Sequence, residues 1–192
     1  TQTGPIPCSL DRGATDTGKT TASQIIAKRY GLQLYNYDRH DLRHIERLAQ
    51  TSSHYRVFLT ASLNERWVRP EPEDLLQFTL QAFRDRFPLM VEDLLALPRE
   101  PMVVAEGFGL TPELISPVLS SKRQAIWLVP TEEFKWASMK RRNKPSFRNR
   151  TSDPARATRN VFKRDMLLAE RVKTQAQSRG LTVYEVDGSR SA

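Results

Sequence analysis

The chain has 192 residues, 39% hydrophobic and 27% charged, with 30 basic against 22 acidic side chains and a formal net charge of +8. That length supports one core and a single domain over 1–192, and no apolar run is long enough for a membrane span, so no membrane partner is expected. The single cysteine, Cys8, excludes an internal disulfide and fits a reducing cytoplasm, while the opening Thr-Gln-Thr-Gly-Pro lacks the basic and apolar regions of a signal peptide.

The first apolar stretch, Ile6–Leu10, predicts a strand. It leads into Gly13-Ala14-Thr15-Asp16-Thr17-Gly18-Lys19-Thr20, which matches the phosphate-binding pattern G-x-x-x-x-G-K-[S/T] between a strand and a helix. Glycines let the backbone curl so that successive N–H groups aim at phosphate oxygens. The helix N-terminus adds a partial positive charge and Lys19 a full one. Thr20 offers a hydroxyl to the magnesium that accompanies the phosphates. Gly13 through Thr21 is therefore the expected phosphate-binding segment. Asp11, Arg12 and Asp16 are charged where small or neutral residues would serve.

A helix is expected over Thr20–Tyr30, stopped by Gly31. A second strand, Leu32–Tyr37, ends at Asp38, which caps a helix over Arg39–Gln50 with Leu42, Ile45 and Ala49 inward. Thr51–Pro72 shows no clear period. A long helical pattern then runs from Pro72 toward Leu97, and Pro88 is expected to kink or split it. Met102–Ala105 reads as a strand buried on both faces, ending in Glu106-Gly107-Phe108-Gly109. Thr111-Pro112 opens another helix, Ala125–Val129 is a fourth strand, and Thr131 opens a helix to about Arg142. Lys140–Arg150 carries six basic residues and no acid, and with Asn143, Pro145 and Asn149 it reads as a loop. Asp153-Pro154 caps a helix to Ser178, Gly180 ends it, and Leu181–Val186 is a fifth strand before Asp187-Gly188-Ser189.

The alternation predicts an α/β domain with a mostly parallel sheet, whose sites lie beyond the strand carboxyl ends. Asp38, Glu106 and Asp187 stand at such ends. Glu106, after a buried strand, fits the magnesium-side carboxylate, so Thr20 and Glu106 form the expected metal site. Asp38 fits the group that takes a proton from an acceptor hydroxyl, or else serves only as a helix cap. Arg141, Arg142, Arg148 and Arg150 can stabilise charge on a transferring phosphoryl group, with Arg142 and Arg148 the catalytic candidates. A solvated basic loop and a nucleic-acid patch are the alternatives, and the lone aromatic Phe147 gives base stacking little support.

Three other features bear on the site. Asp165 shares a stripe with Val161, Leu168, Val172 and Ala176 and needs a partner. Arg164 points elsewhere on the helical wheel, so that partner is expected from another segment, in an ion pair that orients a lid arginine. His40 and His44 have metal-pair spacing but no third ligand, and exposed helix histidines are the expectation. Trp67, Trp127 and Trp136 are expected in the core or on a substrate wall.

Taken together, Gly13–Thr20, Asp38, Val103-Val104-Ala105-Glu106-Gly107, the arginine-rich loop before Asp153 and Val186-Asp187-Gly188-Ser189 resemble the small P-loop kinases. This group contains adenylate kinase, shikimate kinase, gluconate kinase and chloramphenicol phosphotransferase, and the resemblance spans nearly the whole chain. It implies a three-layer fold with a five-stranded parallel sheet of order 2-3-1-4-5, a helical acceptor region at about 39–98 and an arginine-rich lid at about 141–153. It also implies magnesium-dependent transfer of the γ-phosphoryl group of ATP to a small-molecule acceptor, with Asp187 and Gly188 against the base and Arg141 near the nucleotide. Leu110 stands where adenylate kinase carries the arginine that grips a monophosphate. Asp16 resembles a feature of some polynucleotide 5′-hydroxyl kinases, so a nucleotide or polynucleotide acceptor stays open, as does a non-catalytic nucleotide-binding module.

Overall fold

Two glycines in the left-handed region delimit the first helix. Gly18, at φ 78°, sits immediately before α1 (Lys19–Tyr30), and Gly31, at φ 63°, closes it with its N–H donated to the Ala27 carbonyl. Only glycine takes such angles at little cost. These positions come from a computed structural model that describes residues 17–141 and 146–189. The expected first strand at 6–10, Gly13, Ala14, Thr15, Asp16 and Arg142 lie outside the described residues.

Strand β1 (Gln33–Asn36) pairs in parallel with β2 (Val103–Glu106), and β3 (Ile126–Pro130) pairs in parallel with β4 (Thr182–Val186). Between β1 and β2 come α2 (Asp41–Thr51), α3 (Ser53–Thr60), α4 (Leu63–Trp67) and α5 (Pro72–Leu95). The one-turn α6 (Pro112–Ile115) precedes β3, and α7 (Glu132–Arg141) and α8 (Pro154–Ser178) precede β4.

The architecture corrects the expected fold class. The described residues are 67% helical, and their strands form two separate two-stranded sheets rather than one five-stranded parallel sheet in three layers. The reason lies in where the apolar surface sits. Helices α5 and α8 have 24 and 25 residues, whereas each strand has four or five. The main core is Leu80, Phe83 and Met90 of α5 and Leu168 of α8, closed by Tyr35 and Tyr37. Val103 and Val104 are only half-buried and Ala105 is exposed, so β2 is not the doubly covered strand its composition suggests.

Local signals set most helix ends. The Asp153 side chain accepts the Arg156 N–H at 2.8 Å, and Pro154 occupies the first position of α8. Thr131 Oγ1 accepts the Phe134 N–H at 3.2 Å ahead of α7. Helix α5 is not split at Pro88 but continues through it as one element. Proline removes one intrahelical donor, and the neighbouring turns keep their core contacts through Phe83 and Met90. The stretch without a period resolves into α3 and α4, the latter opened by a reciprocal capping box between Ser62 and Glu65.

Candidate functional site

The β1–β2 register places Asn36 beside Glu106 at the carboxyl end of that sheet. The Asn36 amide donates to Glu106 Oε1, and its own Oδ1 accepts the Arg39 N–H at 2.9 Å. Glu106 is buried, and among the described residues no hydrogen bond to its Oε2 is found. Burial pushes the Glu106 carboxyl above its ordinary range, the Thr20 hydroxyl pulls it down, and the charge of nearby Asp38 pushes it up. Lys19 and Arg39 oppose that last push. The N-terminus of α1, carrying Lys19, Thr20 and Thr21, thus faces this carboxylate. Lys19 Nζ donates to Thr17 Oγ1 at 3.2 Å.

Asp38 comes to the same end through a tight turn. Its Oδ1 accepts the backbone N–H of Phe108 at 3.0 Å, tying the chain after β1 to the chain after β2. Gly107 and Gly109 permit this approach, because a Cβ on either would run into Tyr37. Tyr37 is in turn clamped by buried Arg86, whose guanidinium lies 3.9 Å from the ring centroid, donates to the Tyr37 carbonyl and pairs with Asp41. Arg86 and Asp41 escaped the sequence reading, since an arginine on an apolar helix face carries no local mark of its partner.

A magnesium ion travelling with a nucleotide takes most of its ligands from phosphate and water, with one or two from protein. The buried Glu106 carboxylate beside the Thr20 hydroxyl fits that demand. Among the described residues no group of three or more His, Cys, Asp or Glu forms a self-sufficient metal cage. His44 is buried rather than exposed, its Nε2 lies 2.9 Å from Asp93, and it stacks on His40, which stacks on Tyr35. The His44 pKa is lowered: burial lowers it, the hydrogen bond with Asp93 raises it, and the Arg86 charge lowers it further.

Asp38 also lies on the wall of a cavity of about 690 Å³ enclosed by α2, α3, α4, α5 and the turn at 147–150. Three aromatic pairs line it: Phe58 with Phe78 at 4.7 Å between centroids, Trp67 with Phe147 at 4.7 Å, and Phe83 with Phe108 at 5.2 Å. Arg66, Arg86 and Arg164 add cationic edges. Trp67 is a cavity wall and Trp127 is core, its Nε1 donating to the Leu110 carbonyl at 2.8 Å; Trp136 is more than one-third exposed against Phe162. Phe147, expected in a loop, is buried against Trp67.

Asp165 finds its partners behind this wall. Lys135 of α7 approaches its Oδ2 at 2.7 Å and Arg164 its Oδ1 at 2.7 Å, with Lys135 and Asp165 each 1% exposed. The partner from another segment is thus Lys135. Contrary to expectation, Arg164 joins it, because its long side chain folds back over the helix. Arg164 then donates to Thr79 at 3.2 Å, and its guanidinium lies 5.4 Å from the Phe108 ring and 6.0 Å from that of Trp67. Among the described residues, the arginine that Asp165 orients is a cavity arginine of α8.

The remaining expected residues occupy two places. Exposed Arg141 ends α7 and donates to Ser138 at 3.4 Å, and Arg148 lies in the turn at 147–150 with its guanidinium 5.9 Å from the Phe147 ring. The Ser152 N–H donates to Asn64 Oδ1 at 2.8 Å, fastening this segment to α4. Asp187 Oδ1 accepts the N–H and hydroxyl of Ser189, and Gly188, at φ 85°, lies so close to Phe134 that a Cβ would collide with its ring. Among the described residues no helix is long and apolar enough to cross a membrane. Comparison with protein-family profiles, curated proteins and solved structures finds no match to this chain.

Proposed function

We propose that this chain is an ATP-dependent phosphotransferase that phosphorylates a hydroxyl of a small-molecule acceptor. The observation that carries this reading is the convergence of Lys19, Thr20, Glu106 and Asp38 at one strand end, with Asp38 also on the cavity wall. Lys19 and the first N–H groups of α1 bind the nucleotide phosphates. Thr20 and Glu106 hold magnesium, which when bound neutralises charge on the β- and γ-phosphates. Asp38 accepts the acceptor's hydroxyl proton as that oxygen bonds to the γ-phosphorus and the bond to ADP breaks. The Phe108 N–H fixes the carboxylate for this task. Arg141 and Arg148 stand in the basic segment expected to stabilise the transferring group, and Asp187 with Gly188 in the segment expected beside the base.

Tight positioning and general-base action account for rate factors of about 100 or more each. Asp38→Asn is therefore expected to lower label transfer from γ-labelled ATP by about 100-fold or more while nucleotide binding persists. Nucleotide binding without transfer to any member of a panel of alcohols, sugars, nucleosides and 5′-hydroxyl oligonucleotides would instead mark a non-catalytic binding module.

A further inference from the structure

The walls of the cavity say what kind of acceptor it takes. A volume of about 690 Å³ falls in the range that encloses a drug-sized molecule. Its lining includes two ring pairs, Phe58 with Phe78 and Trp67 with Phe147, beside polar residues such as His54, Thr60 and Thr79. Such rings favour a partner ring in offset or edge-on contact. They offer few of the hydrogen-bonding groups that a sugar would need once removed from water.

The charges disfavour an anionic handle. Each cavity arginine is already engaged: Arg86 with Asp41, Arg164 with Asp165, and Arg66 with the Leu59 carbonyl at 2.8 Å and the Phe58 ring at 4.8 Å. A phosphate or carboxylate on the acceptor would have to displace one of these contacts. A neutral molecule need not. Among the lining carboxylates Asp41 pairs with Arg86 and Glu65 caps α4, while Asp38, held by the Phe108 N–H, suits an alcohol.

We infer that the acceptor is an uncharged aromatic alcohol, its ring between the Phe58–Phe78 and Trp67–Phe147 walls and its hydroxyl at Asp38. This rests on the phosphotransferase reading for the fate of the hydroxyl, but not for the binding itself. The reaction balances as acceptor alcohol plus ATP giving acceptor phosphate, ADP and a proton, the proton passing first to Asp38.

The test is calorimetric titration of the whole chain with naphthylethanol, cyclohexylethanol, glucose and adenosine monophosphate, run beside label transfer from γ-labelled ATP. Naphthylethanol is expected to bind at least 10-fold more tightly than its saturated analogue. Val57→Trp, at an exposed position of the cavity mouth, is expected to weaken it at least 10-fold. Phe58→Leu is a milder second variant, with the same direction expected, and the nucleotide affinity of each variant reports whether the donor half is folded. Transfer to glucose or adenosine monophosphate with no naphthylethanol binding would overturn the acceptor class while leaving the phosphotransferase reading intact. Naphthylethanol binding that Val57→Trp weakens, in a chain that binds no ATP, would support the cavity's ligand class and overturn the phosphotransferase reading.

Discussion

Replacing Asp165 by asparagine removes the one carboxylate shared by Lys135 and Arg164. Asp165 and Lys135 are each 1% exposed, and both cations lie 2.7 Å from its oxygens. Water cannot take over the lost charge at such burial. Removing one partner of a buried ion pair costs about 3–5 kcal/mol, because the remaining charge stays desolvated. For a chain of this size each kcal/mol lowers the melting temperature by about 2–4 °C, so a drop of about 10 °C is expected. Urea unfolding followed by helical circular dichroism measures it, with Asp165→Asn and the pair Lys135→Met with Asp165→Leu compared side by side. The apolar pair should recover part of the loss, since it removes the stranded Lys135 charge, while Arg164, 12% exposed, still lacks its carboxylate. A single variant within about 1 kcal/mol of the wild-type chain would refute the buried network as a stabilising element. The same variant frees Arg164 from the carboxylate that aims it past Phe108, so its aromatic-ligand affinity should fall as well.

Two further outcomes follow from the same geometry. Glu106→Gln keeps an acceptor for the Asn36 amide but removes the charged ligand, so it should cut magnesium-dependent transfer by about 100-fold or more at a stability cost of about 1 kcal/mol or less, measured by label transfer and urea melts. Glu113 is the acid-sensitive joint between α5, α6 and α8. Burial would raise its pKa, but hydrogen bonds from Arg84, Gln175 and Arg171 hold it down at about 2. A depressed folded pKa stabilises above the unfolded value and is lost as pH falls from about 4.5 toward 2. Discounted for partial exposure, Glu113→Gln should lose about 1–2 kcal/mol at neutral pH and little at pH 2, a difference that urea melts at both pH values resolve.

The parts of the molecule legible in the sequence are those with local causes. Gly18, Gly31, Thr131 and Asp153 mark helix ends through backbone angle or side-chain capping, and Glu106 ends β2 because the apolar run stops there, while Asp38 lies in the turn at 37–40 just beyond β1. The sheet was misjudged because short apolar runs say nothing about how many strands join. Val103 and Val104 read as doubly buried, yet α5 and α8 carry the core. The cavity escaped because α3 and α4, of eight and five residues, are too short to display a helical period. The Ser62…Glu65 capping box was the one readable sign of α4, and the rings of Phe58, Phe78 and Trp67 line one cavity only after α3, α4 and α5 fold together. Nothing in the sequence around Lys135 marks it as buried; its partner is thirty residues away, on another helix.

The most direct test of the account is titration of magnesium-ATP into the wild-type chain and Lys19→Ala, followed by label transfer to naphthylethanol. The account predicts saturable ATP binding and transfer by the wild-type chain, with binding weakened at least 10-fold and transfer lost in Lys19→Ala. No ATP binding by the wild-type chain, or binding and transfer unchanged in Lys19→Ala, would contradict it.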